Sequence, residues 1–102
     1  VLAPTRELAL QVAEECAELQ SALEAGSPEA VTEEIGDLLF SVVQLARHVG
    51  TDPEAALRAA NSKFERRFRR MEAWLAAEGR APRDAGPDEL EVLWARAKQE
   101  LG

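Results

Sequence analysis

The amino-acid sequence predicts an all-α fold, an antiparallel helical bundle completed by dimerisation. Its 102 residues are rich in alanine, leucine, glutamate and arginine, which favour helices over strands. A hydrophobic fraction of 46% with 30% charged residues is typical of a globular chain rather than a disordered one. The length suits a single domain over residues 1–102, and a domain of this size leaves apolar surface uncovered as a monomer, which favours association.

Apolar spacing and helix-ending residues predict the first two helices. The first runs from about Thr5 to Ala25 and ends at Gly26, with one apolar face formed by Leu8, Val12, Leu19 and Leu23. Ser27 then caps a second helix, which begins at Pro28 and reaches His48 or Val49. Apolar residues recur along it at intervals of four and three, at Val31, Ile35, Leu38, Val42, Leu45 and Val49.

The second half of the sequence predicts two further helices. Thr51 and Glu54 suggest a capping box for a third helix that extends to Ala77. Its helical spacing is carried by Leu57, Ala60, Phe64, Phe68, Met71 and Leu75. Two prolines and a glycine between Arg80 and Pro87 predict a loop. A last helix over 88–101 folds back onto the others through Leu90, Leu93, Trp94, Ala97 and Leu101.

The charge of the chain is strongly uneven. Residues 1–60 carry 3 basic and 11 acidic side chains, a net charge of −8, whereas residues 61–102 carry 9 and 8, a net charge of +1. The total of −7 argues against a general nucleic-acid binder. The acidic residues 1–60 and a basic segment from Lys63 to Arg70 can together bind metal and phosphate. One cysteine, no secretory segment and no apolar run of roughly 20 residues predict a cytoplasmic protein that does not enter membranes.

Carboxylates interrupt the apolar faces of the first two helices. Glu15 lies between Val12 and Leu19, and Glu34 and Asp37 also point inward, while Glu14 and Glu18 converge on the side of Glu15. Buried carboxylates cost several kcal/mol each unless a cation or hydrogen bonds compensate them. Oxygen ligands without histidine or cysteine favour Mg²⁺ or Mn²⁺. From spacing alone, an ordinary solvated helix face remains an equal alternative.

The basic segment and the last helix offer candidates for nucleotide contacts. Lys63 and Arg67 are four residues apart, so both side chains can reach a phosphate from one side of the third helix. The alternative for these residues is an exposed basic face that pairs with Glu65 or Glu72. Trp94 is, by residue type, more often a core anchor than a platform for a nucleobase.

Two acidic motifs, Glu14-Glu15-Cys16-Ala17-Glu18 and Glu34-Ile35-Gly36-Asp37, resemble the E-E-x-x-E and E-x-x-D signature of MazG-type nucleoside triphosphate pyrophosphohydrolases. The stretch EEIGDLLFSVVQLARHVGTDPEAALRAANSKFERRF is similar to the most recognisable part of that domain, and the resemblance covers about residues 13–101. It implies an all-α fold, dimers or dimers of dimers, and hydrolysis of a nucleoside triphosphate to a nucleoside monophosphate and pyrophosphate. It therefore favours the metal-binding interpretation of the acids.

The resemblance also implies roles for individual residues. By motif position, the Mg²⁺ ligands are Glu15, Glu18, Glu34 and Asp37. Glu14 would help to order the water bound to the metal, which makes all five acids catalytic.

The resemblance also implies which residues bind the substrate. Lys63 and Arg67 match positions that contact the triphosphate, and Trp94 matches a position near the nucleotide. Gln11 stands where the family often has lysine, so phosphate binding is expected to be weaker at this position.

The first eleven residues depart from that family pattern. Val1 to Gln11 resembles the A-P-T-R-E-L-A segment of DEAD-box RNA helicases, although the chain lacks a G-x-x-x-x-G-K-[ST] phosphate loop and a D-E-A-D motif, which excludes a complete helicase. Coincidence and a chimera both explain the segment, and a chimera is the preferred hypothesis. The alternative function is therefore a catalytically impaired or inactive chimeric or designed helical association module. RNA binding through this segment is the weaker third hypothesis.

Overall fold

Within residues 3–102, which the computed structural model describes, all regular structure is helical. Four α-helices follow one another, α1 (Ala3–Ala25), α2 (Pro28–His48), α3 (Pro53–Ala77) and α4 (Pro87–Leu101), with a short 3₁₀ turn at Pro82–Asp84. The predicted all-α fold class is confirmed. Val1 and Leu2, the first residues of the helicase-like segment, lie outside the described residues.

The turn between α1 and α2 forms as predicted. Gly26 adopts a φ of +73°, a conformation that glycine tolerates and that ends α1. The Ser27 hydroxyl then accepts a hydrogen bond from the amide of Ala30 at 3.3 Å, which caps α2. At the other end, α1 begins two residues earlier than predicted. Pro4 suits a first turn because the amide hydrogen that it lacks has no partner within the helix there.

The start of α3 differs from the prediction. Instead of Thr51, Asp52 caps the helix, and its Oδ1 atom accepts the amides of Glu54 at 3.0 Å and Ala55 at 3.3 Å. The Thr51 amide instead donates to the carbonyl of Ala46 at 2.8 Å and so belongs to the end of α2. The predicted cap was therefore wrong by one residue, since the proline after Asp52 takes the first helical position.

The chain divides into two compact units, Val1–Ala56 and Leu57–Gly102, called here the first and second unit. In the first unit, α1 and α2 form a helical hairpin packed along its length. The two buried residues between Pro4 and Ala56 are small, Ala22 and Ser41. Around them lies a half-buried layer formed by Leu8, Val12, Leu19, Val31, Leu38 and Leu45. A line of residues at intervals of three and four thus holds each helix against the other.

The second unit is built around a small apolar core. Met71 and Leu75 of α3 are 4% and 2% exposed, and Ala97 of α4 is fully buried. The loop between these helices is held by Arg80, whose guanidinium donates to both carboxylate oxygens of Glu89 at 2.6 Å. No helix in the described part of the chain combines the length and apolar character needed to cross a membrane.

Candidate functional site

Two glutamates lie on the packed faces of the hairpin. Glu15 is half-buried in the α1 layer with Val12 and Leu19, and Glu34 is half-buried in the α2 layer with Val31 and its neighbours. One carboxylate oxygen of each, Oε2, is buried without a hydrogen-bond partner. Unpartnered buried oxygens are costly, so these two positions call for a compensating cation.

The two glutamates are the centre of a larger acidic cluster. Carboxylate oxygens of Glu15, Glu18 and Glu34 lie within 4.8 Å of one another, and so do oxygens of Glu33, Glu34 and Asp37. Glu34 belongs to both groups. The α1 and α2 motifs therefore meet at this residue.

The cluster changes the protonation of its half-buried members. Desolvation raises the pKa of Glu15, and the negative charges of Glu18, Asp37 and Glu14 raise it further. A hydrogen bond to Glu18, which favours a shared proton, acts in the same direction. Acids from both motifs therefore act on Glu15.

Glu34 behaves in the same way. Desolvation is the largest cause that raises its pKa, followed by hydrogen bonding to Glu18 and by the charges of Glu18, Asp37 and Glu15. Both half-buried glutamates hold a proton more readily than an exposed glutamate does. A bound cation would displace these protons, because it supplies the positive charge that the cluster lacks.

The donor set suits a hard divalent cation. All candidate ligands are carboxylate oxygens, and no histidine or cysteine joins either group among residues 3–102. In the described part of the first unit, no lysine or arginine forms an ion pair with these acids. Oxygen-only donors favour Mg²⁺ or Mn²⁺ over zinc. The acidic cluster can therefore hold such an ion.

The structure departs from the sequence-based site in two ways. Asp37 was expected to point inward with Glu34, but it is exposed, as are Glu18 and Glu14. Asp37 lies at the edge of the packing between α1 and α2, where solvent still reaches its carboxylate. Glu33 was missed, although it precedes Asp37 by four residues and so shares its side of α2.

The predicted phosphate-contacting residues on α3 have different surroundings. Arg67 is half-buried, and its Nη2 atom donates to the carbonyl of Gly102 at 2.6 Å. Its guanidinium carbon lies 5.5 Å from the centre of the Trp94 ring, while its Nε atom is buried without a hydrogen-bond partner. Lys63 is exposed one turn earlier on the same helix. Arg67 and Trp94 are thus brought together, as a cation beside an aromatic face.

The alternative of an exposed basic face is only partly realised. Glu65 pairs with Arg69 at 2.6 Å rather than with Lys63 or Arg67. In the described structure Arg67 donates to the Gly102 carbonyl and forms no ion pair with Glu65. Gln11 is exposed on α1, one turn before Glu15, and so lies beside the acidic cluster on the same helix.

A family comparison covers most of these residues. Residues 4–71 match the model of the MazG nucleotide pyrophosphohydrolase domain. The match contains both acidic motifs, Lys63 and Arg67, and it ends before Trp94, earlier than the resemblance over about 13–101 suggested. Since it begins at residue 4, it includes most of the helicase-like segment and gives the chimera hypothesis no support.

Curated relatives point in the same direction. Over 81 residues, 79% of this chain and 32% of the relative, the chain is 42% identical to a nucleoside triphosphate pyrophosphohydrolase/pyrophosphatase MazG from Thermotoga maritima. Over 68 residues, 67% of this chain and 26% of the relative, it is 48% identical to a nucleoside triphosphate pyrophosphohydrolase from Escherichia coli K12. It is also 39% identical over 66 residues, 65% of this chain and 14% of the relative, to the uncharacterized protein YabN of Bacillus subtilis. The chain thus spans no more than about a third of the length of these relatives.

Proposed function

This chain belongs to the MazG nucleotide pyrophosphohydrolase family, and on that premise we propose that it hydrolyses nucleoside triphosphates to a nucleoside monophosphate and pyrophosphate. The cofactor in this proposal is Mg²⁺, with Mn²⁺ as the alternative. One observation carries it: Glu15 and Glu34, each with one buried and unpartnered oxygen, lie in one carboxylate cluster with Glu18. Such a cluster fits a cation that also binds the phosphates of a substrate.

The acids of the two motifs are assigned to the metal. We assign Glu15, Glu18, Glu34 and Asp37 as ligands, because Glu18 and Asp37 each lie in a group of neighbouring carboxylates with Glu34 and both raise the pKa of Glu15 and Glu34. When bound, Mg²⁺ supplies positive charge that offsets the charge of the phosphates during water attack. Glu14 is exposed beside the cluster, where its carboxylate can accept a hydrogen bond from the attacking water and orient it.

The remaining assignments concern substrate binding. Lys63 and Arg67 are assigned to the triphosphate because both are cations on one side of α3. Trp94 is assigned to the nucleoside, since its ring lies against Arg67. Gln11 is assigned a weaker phosphate contact, because its amide carries no charge. A cytoplasmic setting belongs to the same proposal, since one cysteine allows no internal disulfide.

Product analysis tests the proposed reaction. Purified protein is incubated with each ribo- and deoxyribonucleoside triphosphate and Mg²⁺, and the products are separated by ion exchange. We expect equal amounts of monophosphate and pyrophosphate, and no activity in the presence of a chelator. Release of a diphosphate with orthophosphate contradicts the proposal. Absence of any product favours the alternative, a helical association module without catalytic activity.

We further propose that the chain forms a homodimer or a dimer of dimers. Leu39, Phe40 and Val43 lie on the side of α2 opposite its α1-facing layer, and Leu39 and Phe40 are 61% and 62% exposed. Gly36 on the same side has open space around it, which a neighbouring helix could fill. A contiguous apolar patch of this kind is typical of an interface.

Sedimentation measures this association directly. The wild-type chain is expected to sediment at a multiple of its 11.2 kDa mass. Phe40→Glu is expected to give monomers, because it places a charge in the apolar patch. Val92→Glu is the control, since Val92 is also apolar and 68% exposed but lies on α4. A monomeric wild type, or no effect of Phe40→Glu, contradicts this interface.

A further inference from the structure

The outward side of α2 carries a stripe of exposed residues with heptad spacing. Its members are four and three positions apart in alternation, so they share one side of the helix, away from the layer that packs on α1. In order along the helix they are Glu29, Glu33, Gly36, Phe40, Val43 and Arg47. The stripe is therefore acidic at its start, apolar in its middle and basic at its end.

The charged ends of this stripe have no partner within the chain. Glu29 and Arg47 are both exposed, and neither joins any of the ion pairs found among residues 3–102. They lie about five turns apart, roughly 27 Å along an α-helix, so they cannot contact each other within one copy. Their charges remain available to another molecule.

A second copy of the chain supplies the complement that the stripe requires. When two α2 helices pack antiparallel, a two-fold axis midway between Gly36 and Phe40 places Gly36 of one copy opposite Phe40 of the other. Glu29 and Arg47 are equally far along the helix from this axis, so Glu29 of one copy faces Arg47 of the other. The stripe is therefore complementary to itself in charge, and the opposite charges meet twice in the dimer.

Other arrangements of the two helices leave the stripe mismatched. Parallel packing places Glu29 opposite Glu29 and Arg47 opposite Arg47, and like charges at an interface repel each other. Sliding the antiparallel helices by one heptad in one direction places Phe40 opposite Glu29. Sliding them in the other direction places Arg47 opposite Gly36. The arrangement centred between Gly36 and Phe40 therefore matches the charges best.

The middle of the stripe favours the same arrangement. Phe40 is 62% exposed, and no neighbouring atom lies within 4 Å of the point where a Cβ would stand on Gly36. A glycine lets another chain approach its backbone closely, so the Phe40 ring of a second copy can lie there. Burial of the two rings stabilises the contact, while the charged ends fix its direction.

We propose that two copies of this chain associate through antiparallel α2 helices, with Arg47 of each copy paired with Glu29 of the other. This inference rests on the proposed homodimer for the identity of the partner, and it adds the orientation and register of the contact. Glu33 lies one turn after Glu29 and belongs to the acidic group with Glu34 and Asp37. The second copy therefore brings a positive charge to the edge of the candidate metal site.

Charge reversal tests this pairing. Arg47→Glu places two acids opposite each other and Glu29→Arg places two arginines opposite each other. Each variant alone is expected to raise the dissociation constant of the dimer at least about tenfold. The double variant restores opposite charges with their positions exchanged, so its dissociation constant should return to within about threefold of the wild-type value. Sedimentation equilibrium of the full chain measures all four proteins, and the differences should shrink in high salt.

The design separates pairing from a local effect on the helix. Glu29 lies in the first turn of α2 and Arg47 in the last turn, so each also interacts favourably with the helix dipole. Loss of that interaction alone predicts that the double variant associates most weakly, whereas pairing predicts that it associates better than either single variant. Glu24→Arg and Arg83→Glu are the controls, because both residues are exposed and lie outside the stripe. They are expected to leave the dissociation constant unchanged.

The outcomes distinguish this inference from the proposed function. A monomeric wild type overturns both the homodimer and the register. If Phe40→Glu gives monomers but the double variant associates no better than the single variants, the register alone is overturned. Equal weakening by the control variants also overturns the pairing. If association is lost and restored as expected but nucleoside triphosphates are not hydrolysed, the register is supported and the proposed reaction is contradicted.

Discussion

The two units use carboxylates in opposite ways. In the first unit, Glu15 and Glu34 are half-buried among other acids, and the pKa of each is raised, chiefly by desolvation. In the second unit, Glu89 accepts two hydrogen bonds from Arg80, and this contact lowers its pKa. A half-buried glutamate without a positive partner therefore indicates a candidate binding site. A glutamate paired with arginine instead stabilises the fold.

This difference has a consequence for stability. The acids of the first unit oppose folding at neutral pH unless a cation binds, whereas the ion pair of the second unit supports folding. Groups whose pKa is strongly perturbed often lie at functional sites. The first unit therefore fits a cation site.

The largest expected effect comes from removing the residue shared by both acidic groups. Glu34→Gln is expected to lower kcat/KM by more than the roughly 10- to 100-fold typical of losing an outer-shell partner of a metal ligand. The size of the side chain is retained, so helicity measured by circular dichroism should stay at the wild-type level.

Glu24→Gln is the matched control for that substitution. Glu24 is an exposed glutamate on α1 outside both acidic groups, and its substitution removes the same charge. Its activity is expected to equal that of the wild type. Wild-type turnover by Glu34→Gln, or equal losses in the two variants, would show that the cluster does not carry the reaction.

The core of the second unit is expected to respond strongly to loss of volume. Leu75 is 2% exposed, and Leu75→Ala should lower the free energy of unfolding by about 2–5 kcal/mol in urea. Val92→Ala removes an exposed side chain and should change it by less than about 0.5 kcal/mol. If the two variants are equally stable, apolar packing does not hold this unit together.

Metal-free protein should lose stability as the pH rises. Because folding raises the pKa of Glu15 and Glu34, their contribution is present below the ordinary glutamate value of about 4.3 and is lost as the pH rises through the raised values. The melting temperature of the wild type should therefore fall relative to that of Glu34→Gln as the pH rises from about 4 to about 7. A constant difference between the two proteins across this range contradicts the raised pKa.

The smallest effect is expected at the ion pair of the second unit, and it has the opposite sign. Since Arg80 lowers the pKa of Glu89, the contribution of this pair is present above the ordinary glutamate pKa and is lost as the pH falls through the lowered value. Arg80→Met should therefore be less stable than the wild type at neutral pH, and the two melting curves should converge in acid. A difference that grows in acid would contradict this account.

Local chemistry made much of the fold predictable. Gly26 and Ser27 specify the first turn through a positive φ and a side-chain cap, which depend only on neighbouring residues. The start of α3 was misplaced because Thr51 and Asp52 can both cap a helix, and their spacing does not distinguish them. Apolar spacing also located Glu15 and Glu34 on packed faces, since helical periodicity determines the side on which a residue lies.

Other features of the candidate site depend on packing between helices. The exposure of Asp37 and the participation of Glu33 follow from where α2 meets α1, which periodicity gives only approximately. The contact between Phe64 and Trp94 joins residues thirty positions apart. Sequence spacing could place each ring on an apolar stripe but could not show that Phe64 remains exposed to solvent.

Calorimetric titration with Mg²⁺ tests most directly whether the acidic cluster is a cation site. The wild type and Glu24→Gln, both freed of metal, should bind Mg²⁺, and their affinity should fall as the pH is lowered, because protons compete with the cation for Glu15 and Glu34. Glu34→Gln should show little or no binding. If Glu34→Gln binds Mg²⁺ with the affinity of the wild type, the cluster where α1 and α2 meet is not the metal site.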